Sequence, residues 1–407
     1  MEYTIKTIEE LCTKITDGAH NSPEECMAGG YPMYSSKDML YGEFDDSDVK
    51  RISAQDYEKL VAQDCQPQKN DILIIKDGAN YLKYTFKMSK RIDAVILSSI
   101  AILRPNTKII DPDYFTYLLR TISIRQAMSN YVSGAAIPRI VLKDFKKMKL
   151  SVLDDVERQK SVVKHLLALD NLIEVNNKRI KVLEQMAENL YKEWFVRFRF
   201  PGHENAEFEN GIPKGWRRGR ISEFYTTSSG GTPSREHNEY YDDGTIPWIK
   251  TGELQDCLLI DTEERITEVA VKKSSAKFFP KDSVLMAMYG VNIGMLAYST
   301  MDATCNQACC VFRDKGNIST KHFLFQCLKS IRDYLLLISF GAAQQNLSQD
   351  LIKRVRIVMP DEETVIRFEQ KIEPLYNETE HLLKANACLI RQRDLLLPRL
   401  MSGKLEV

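Results

Sequence analysis

The longest regular pattern of apolar positions lies in the middle of the chain. Between Asp154 and Pro201 there is no proline or glycine, and apolar residues recur in steps of four and three. The seam positions are Val162, Leu166, Leu169, Ile173, Asn176, Ile180, Leu183, Ala187, Leu190 and Trp194. Such a heptad seam predicts a coiled-coil helix, in which the polar Asn176 sets the register of pairing.

A second seam follows near the end of the sequence. Its positions are Phe368, Ile372, Leu375, Thr379, Leu382, Asn386, Leu389, Arg393, Leu396 and Leu400. We expect Pro374 to kink this helix and Pro398 to end or bend its last turn. The two helices predict an antiparallel coiled coil that serves as a spacer. In the alternative arrangement, each helix packs separately against its own globular module.

The remaining sequence predicts globular modules with mixed secondary structure. Short β-branched runs such as Asp71–Ile75 and Ala94–Leu103 predict strands, because turn residues bound them. Aromatic-rich segments at Tyr114–Ala127 and Lys321–Leu337 predict helices. The expected fold class is therefore α+β, with two pseudo-symmetric globular modules separated by an antiparallel two-helix coiled coil.

The chain also repeats itself. The tripeptide at 134–136 (GAA) recurs 207 positions later, and the stretch 145–150 then matches 352–357 without a gap. In the globular parts, Pro32 matches Pro247 at an offset of 215. The same order throughout favours a duplicated domain over chance similarity between apolar stretches. The expected segments are a first module (1–155), a helical spacer (156–200), a second module (201–360) and a C-terminal helical spacer (361–407).

Composition narrows the class of protein. The 56 basic and 56 acidic residues cancel, which counts mildly against a lone DNA-binding domain unless partners supply part of the phosphate-binding surface. The nine cysteines form no Cys-x-x-Cys pair, and Cys305, Cys309 and Cys310 lack companions at zinc-ligand spacing. We therefore expect reduced thiols, no metal site and a cytoplasmic protein. No run of apolar residues is long enough for a membrane span, and no secretory signal is recognisable.

Catalytic motifs are weak. Pro360-Asp361 followed by Glu369-Gln370-Lys371 satisfies the nuclease pattern PD…ExK. This pattern lies at the entrance to the second helix, whereas the nuclease needs its carboxylates on adjacent strands to hold a metal. The sequence predicts no catalytic residues. A stand-alone nuclease of the PD…ExK type and a coiled-coil scaffold that binds no DNA are the alternatives.

Polar, planar and basic residues occupy loops at matching places in the two modules. Arginine suits guanine, and asparagine or glutamine suits adenine, in bidentate contacts within the major groove. The candidate DNA-contacting residues are Ser35, Ser36, Lys37, Lys76, Asn80 and Arg139 in the first module, and Lys250, Thr251, Tyr289, Asn292, Gln344, Gln345 and Asn346 in the second.

Three motifs resemble a known family. Residues 392–405 (QRDLLLPRLMSGKL) are similar to the end of type I restriction–modification specificity subunits, and 190–198 (LYKEWFVRF) resembles the close of their first helix. Residues 212–216 (IPKGW) resemble the usual opening of a recognition domain in that family. Together with the repeat, the resemblance covers the whole chain.

The resemblance implies two target recognition domains, each reading one half of a bipartite site in double-stranded DNA. The helices would be a ruler and a docking surface for two methyltransferase subunits, joined by restriction and translocase subunits. S-adenosylmethionine, ATP and Mg²⁺ would serve those partners, and this chain would need no cofactor. The expected partner-contacting residues are Leu190, Trp194, Phe195, Leu396, Leu397 and Arg399. Truncation after Asp361 is expected to leave the first module folded.

Overall fold

In a computed structural model the chain forms two compact units. The first unit comprises Met1–Leu172 with Leu389–Val407, and the second comprises Ile173–Cys388. The structure describes residues 2–26, 29–40, 42–78, 80–133, 138–316, 318–339 and 346–405. Each unit contains one α+β module and a stretch of each long helix, so the boundary between the units crosses both helices.

The first module mixes short helices with short strands. Its strands are Tyr3–Thr7, Cys12–Asp17, Tyr31–Tyr34, Lys50–Ile52, Ile72–Ile75, Thr85–Lys87, Val95–Ile96, Ile100–Pro105, Val132–Ser133, Arg139–Ile140 and Lys149–Leu153. Its helices are Ile8–Leu11, Ala54–Ala62, Pro112–Arg120, Ile122–Ser129 and Leu142–Phe145.

The second module follows a similar order of elements with additional short strands, and its described residues contain no counterpart of the strand pair Val132–Ser133 and Arg139–Ile140. Its strands are Phe208–Glu209, Ile212–Pro213, Arg217–Arg220, Tyr225–Ser229, Ile246–Ile249, Cys257–Leu259, Arg265–Ile266, Phe278–Phe279, Ser283–Ala287, Leu296–Ser299, Ala303–Cys305, Cys309–Asp314 and Arg356–Met359. Its α-helices are Ile221–Phe224, Glu268–Lys273, Lys321–Ser330, Arg332–Ser339 and Gln349–Arg354, and its 3₁₀ turns are His203–Asn205, Asn238–Tyr240 and Thr251–Glu253.

Three sequence-predicted elements are interrupted. The predicted helix Lys321–Leu337 is divided at Ile331 into Lys321–Ser330 and Arg332–Ser339. The segment Ala94–Leu103 forms two strands instead of one, because the chain turns at Leu97, whose carbonyl accepts a hydrogen bond from the Ile100 amide. The predicted helix Tyr114–Ala127 is broken at Thr121, which adopts an extended backbone conformation and donates its hydroxyl hydrogen to the Leu118 carbonyl. Competition of threonine side chains with the helical backbone explains this break.

The largest sheets of the two modules share one strand order. In the first module the order is Cys12–Asp17, Ile100–Pro105, Ile72–Ile75 and Thr85–Lys87. In the second it is Tyr225–Ser229, Cys309–Asp314, Ser283–Ala287, Leu296–Ser299 and Cys257–Leu259. The four shared strands pair antiparallel in both sheets. Ile72–Ile75 is buried throughout, which explains its uninterrupted apolar sequence.

Strand register confirms the duplication. Pro32 lies opposite Arg51, and Pro247 lies opposite Arg265, so the two matched prolines each face an arginine in an antiparallel strand pair. At the ends of the modules, the pair of strands Tyr3–Thr7 and Lys149–Leu153 has its counterpart in the pair Arg217–Arg220 and Arg356–Met359. The two modules are therefore two copies of one design.

The long helices pair with each other within the second unit. They span Val156–Tyr191 and Glu362–Met401. The Asn176 side-chain amide donates to Asn386 at 2.9 Å, and Arg179 pairs with Glu378 at 2.6 Å. Rising residue numbers on one helix meet falling numbers on the other, so the pairing is antiparallel as expected. Pro374 does not interrupt the second helix, which ends three residues after Pro398.

The end of the second long helix belongs to the core of the first module. Leu400 and Met401 are buried in one apolar cluster with Tyr114, Phe145 and Leu166. A chain truncated after Asp361 would lose these two side chains and expose the surface they cover. The expectation that such a truncation leaves the first module intact is therefore wrong.

Replacing Leu400 tests this assignment. Leu400→Ala is expected to lower the free energy of unfolding of the first unit by about 2–5 kcal/mol, because it leaves a cavity in a packed core. Amide hydrogen exchange in the strands Tyr3–Thr7 and Lys149–Leu153 would report the loss. Leu395→Ala is the control, since Leu395 is 58% exposed and Leu400 is 1% exposed. Equal protection in both variants would contradict the assignment.

Two glycines repeat a close approach of backbone segments. A Cβ on Gly18 would lie 2.0 Å from the Ile96 carbonyl oxygen, and one on Gly230 would lie 1.8 Å from that of Cys305. These distances are far below contact, so only glycine fits there. The hydrogen bonds from Ala19 to Ile96 and from Gly231 to Cys305 fasten the next residue in each module.

Gly230→Ala is expected to destabilise the second unit by at least about 1–3 kcal/mol through overpacking against backbone. All three tryptophans (Trp194, Trp216 and Trp248) belong to that unit, so intrinsic fluorescence during urea unfolding reports on it alone. Gly252→Ala is the matched control, because a Cβ there meets nothing within 4 Å. Its effect is expected to stay within about 0.5 kcal/mol. Equal midpoints would refute the steric explanation.

Candidate nucleic-acid interface

Three loops of the first module are joined by hydrogen bonds around Ser99. The Ser99 hydroxyl accepts from the Ser36 amide at 3.0 Å, and its carbonyl accepts from the Lys76 amide at 2.9 Å. The Ile140 amide donates to the Lys76 carbonyl at 2.9 Å. The predicted loop residues at 35–37, 76–80 and 139 are thereby brought together, although they are distant in sequence.

The second module joins its equivalent loops. The Leu347 amide donates to the Met288 carbonyl at 2.8 Å, which repeats the bond between Ile140 and Lys76. The Asn292 side-chain amide donates to the carbonyls of Thr251 and Leu254 at 3.0 and 3.2 Å. The candidates around 250, 289 and 346 are therefore also neighbours.

Several candidates of the first module face solvent. Lys37, Asn80 and Arg139 are exposed. Ser35 is half-buried, and its amide and hydroxyl both donate to the Asp38 carboxylate, so it shapes its loop. Ser36 is half-buried beside Lys37. An exposed lysine and an exposed arginine thus share the surface that these loops create.

Lys76 is buried and does not fit its predicted role as a DNA-contacting residue. Only 1% of its side chain is exposed, and its ammonium lies 2.8 Å from Asp77 and 3.3 Å from Asp17. A lysine enclosed by two carboxylates cannot extend to a phosphate or a base. Sequence alone did not reveal this, because Asp17 comes from a distant strand.

Lys250 and Asn292 in the second module are also committed to internal contacts. Carboxylates of Glu263 and Glu264 accept hydrogen bonds from the Lys250 ammonium, both at 2.9 Å. These bonds raise the pKa of Lys250, and the bond from Lys250 lowers the pKa of Glu264. The Asn292 amide is held by the carbonyls of a neighbouring loop, so its main role is structural.

The other candidates of the second module differ in exposure. Thr251 is half-buried in a 3₁₀ turn, and Tyr289 is half-buried against the core of the second unit. Asn346 is exposed. Gln344 and Gln345 lie outside the described residues.

Two expected partner-contacting residues are in the core instead. Trp194 and Phe195 are buried in the second unit, where the Phe195 ring lies 4.7 Å from that of Phe368 and 4.9 Å from that of Phe323. An aromatic cluster of this kind stabilises the fold and is not available to a partner. The placement of the other expected residues is mixed: Leu190, Leu396 and Leu397 are half-buried, and Arg399 is exposed.

Sequence reasoning missed an apolar stripe on the solvent side of the first long helix. Val175, Val182 and Met186 are each at least half exposed. Their spacing of seven and four residues places them on one helical face, outside the buried seam. A search of this helical sequence for apolar residues outside the seam positions would have found them.

The PD…ExK residues have structural roles. Asp361 accepts hydrogen bonds from the Thr364 amide and the Trp216 indole, both at 2.9 Å, at the start of the second long helix. Glu369 accepts from the amides of His322 and Phe323. Neither carboxylate is directed towards the other as a metal-binding pair requires.

No other catalytic or metal centre is evident within the described ranges. They contain no group of three or more His, Cys, Asp or Glu side chains placed to hold a metal ion. Burial raises the pKa of the Cys310 thiol to about 12, which disfavours the reactive thiolate. Among the helices in the described parts of the chain, none combines the length and apolarity needed to cross a membrane.

Comparison with known proteins identifies relatives of this arrangement. The chain is 26% identical over 310 residues to the type I restriction enzyme MjaIX specificity subunit of Methanocaldococcus jannaschii, covering 72% of this chain and 69% of that protein. It is 24% identical to the HindI specificity subunit of Haemophilus influenzae, covering 83% and 87%. The crystal structure of a type I restriction–modification S subunit from M. genitalium shares the fold, with a TM-score of 0.60, 16% identity and coverage of 98% and 96%.

A family model described as "Type I restriction modification DNA specificity domain" matches residues 1–185 and 213–382. These two ranges coincide with the two copies of the module, each with part of the following long helix. The match covers most of the chain, so the protein belongs to the family of type I restriction–modification DNA specificity proteins.

Proposed function

We propose that the chain is the DNA sequence-specificity subunit of a type I restriction–modification complex. Each module is a target recognition domain that reads one half of a bipartite double-stranded site. The observation that carries this proposal is a shared frame with different loop residues. Arg139 directly precedes Ile140, whose amide donates to the Lys76 carbonyl, and Asn346 directly precedes Leu347, whose amide donates to the Met288 carbonyl. Two half-sites of different sequence require such a difference.

DNA recognition divides between two kinds of contact. Exposed cations such as Lys37 hold phosphates and set the position of the protein, and planar side chains read base edges. Asn80, Arg139 and Asn346 are exposed planar side chains in the described parts of these loops. Lys76 and Lys250 are paired with carboxylates, so we do not include them among the phosphate contacts.

The zero net charge agrees with shared DNA binding. Affinity for DNA depends strongly on neutralising phosphates, and a neutral chain supplies little of that attraction alone. Partner subunits that add basic surface around the same DNA would supply the rest. We therefore expect tight, sequence-specific binding by the assembled complex and weak binding by this chain alone.

The helices are the proposed docking surface for two methyltransferase subunits. The stripe of Val175, Val182 and Met186 offers apolar surface that the chain itself does not bury. Exposed apolar residues grouped on one face are typical of interaction sites. Restriction and translocase subunits would join the same complex.

Chemistry is assigned to the partners. S-adenosylmethionine would be used for adenine methylation, and ATP and Mg²⁺ for translocation and cleavage, by the other subunits. This chain would act in the cytoplasm as a non-catalytic component. Its carboxylates at Asp361 and Glu369 stabilise helix starts, which gives no support to a stand-alone nuclease.

Exchange of one module tests modular recognition. Replacing residues 1–155 with those of another family member is expected to change one half of the methylated site and preserve the other, because each half-site contacts one module. The replacement segment must keep the side chains that contact Leu166 and Leu400. These two leucines lie outside residues 1–155 but belong to the core of the first module. Methylome sequencing measures the site.

The reciprocal exchange of residues 201–360 is the control, and it should change only the opposite half. A contiguous palindromic site, or a change in both halves after either exchange, would contradict the proposal.

A charge placed on the stripe tests docking. Val182→Glu is expected to reduce co-purification of methyltransferase subunits with the full chain severalfold, because a buried carboxylate without a partner is unfavourable at an interface. Gln185→Glu adds the same charge at an exposed flanking position and should retain assembly. Circular dichroism verifies that both helices remain folded. Normal assembly of Val182→Glu would exclude the stripe from the interface.

A further inference from the structure

Four charged side chains of the first module form one connected group, namely Asp17, Lys76, Asp77 and Arg139. At its centre is the ammonium of Lys76, 2.8 Å from Asp77 Oδ2 and 3.3 Å from Asp17 Oδ2. Lys76 is almost completely buried, and both carboxylates are at least four-fifths buried. At the edge of the group, His20 Nε2 lies 3.2 Å from Asp17 Oδ1.

The group extends to solvent at Arg139. Its Nε lies 3.5 Å from Asp77 Oδ1, and 52% of its side chain is exposed. Asp77 Oδ1 is itself buried and accepts no hydrogen bond from any residue that the structure describes. The backbones are fastened too, because Asp77 and Arg139 form an antiparallel bridge and the Gly78 amide donates to the Pro138 carbonyl.

Charge balance explains why the guanidinium belongs there. Lys76 carries one positive charge, and Asp17 and Asp77 carry two negative charges, so the buried trio has a surplus of one. Buried charge is unfavourable unless it is paired. Arg139 compensates the surplus from the solvent side, and the trio in turn restrains the arginine.

The second module shows that the fold does not need this network. Met288 is the equivalent of Lys76, because both residues make the same two backbone hydrogen bonds. The Lys76 carbonyl accepts from Ile140 and its amide donates to Ser99. The Met288 carbonyl accepts from Leu347 and its amide donates to Ala308. Met288 is buried and apolar. Tyr289 then stands at the position of Asp77. The same frame is therefore built without the charges.

Because the frame folds without these charges, they serve something particular to the first module. We propose that Asp17, Lys76 and Asp77 are positioning residues that orient the Arg139 guanidinium to read a guanine in the half-site of the first module. An anchor at Nε leaves the two terminal nitrogens, which form the fork that matches O6 and N7 of guanine. This inference rests on the proposed function.

The test uses the assembled complex with its methyltransferase subunits. Methylome sequencing and competition binding with duplexes carrying single base-pair changes measure specificity in each half-site. Arg139→Ala is expected to lower discrimination at one G·C pair by about 10-fold or more and to leave the other half-site unchanged. Arg139→Lys keeps the charge but lacks the fork, so it should lose the same discrimination.

Asp77→Asn and Lys76→Met test positioning. Both are expected to weaken discrimination at the same G·C pair, and Lys76→Met combined with Arg139→Ala should lose no more than Arg139→Ala alone. The double variant Asp17→Asn with Lys76→Met removes one negative and one positive charge. It therefore avoids the misfolding that Lys76→Met alone could cause by leaving the Asp17 carboxylate buried without a cation. Gln126→Ala is the control, because Gln126 is exposed on the helix Ile122–Ser129 of the same module and lies outside the network.

Three outcomes would overturn the inference. Arg139→Ala could leave every base preference of that half-site unchanged, or weaken binding to all sequences equally with a flatter salt dependence, as loss of a phosphate contact does. Lys76→Met, or its double variant with Asp17→Asn, could leave discrimination intact. The module exchange separates these outcomes from failure of the proposed function. If exchanging a module still changes the sequence of one methylated half-site, the proposed function stands and only this inference fails. If exchanging a module changes neither half-site, the proposed function itself fails.

Discussion

Each module is closed by the pairing of its first and last strands, and the rest of the structure depends on this contact. Tyr3–Thr7 pairs with Lys149–Leu153, and Arg217–Arg220 pairs with Arg356–Met359. In both cases a long helix begins three residues after the closing strand. Backbone hydrogen bonds fix this register, so the chain enters and leaves each module at one place and the helix starts from a defined position.

The closed frame allows the loops to differ. Backbone hydrogen bonds join Ile140 to Lys76 in the first module and Leu347 to Met288 in the second, and such bonds do not depend on side-chain identity. A buried charge network in one copy and a buried methionine in the other occupy the same position, at Lys76 and Met288. Stability therefore comes from the shared frame, and specificity can vary without rebuilding the fold.

The cations explain how a neutral chain can belong to a DNA-binding family. Lys76 is buried between two carboxylates and Lys250 is hydrogen-bonded to two more, whereas Lys37 and Arg139 are exposed, although each also lies within 4 Å of a carboxylate. A chain without net positive charge gives little general attraction to DNA, so we propose that partner subunits contribute affinity. What this chain contributes best is discrimination between sequences.

The sequence by itself determined the helices, the duplication and the equivalence of the loops, because seams and offsets are properties of order along the chain. The polar seam positions Asn176 and Asn386 contact each other, in agreement with the predicted antiparallel coiled coil. Only the tertiary structure decided which polar residues face solvent: Lys76 is enclosed by Asp17, and Trp194 and Phe195 pack against Phe368. Burial depends on contacts between segments far apart in sequence, and no local pattern encodes those contacts.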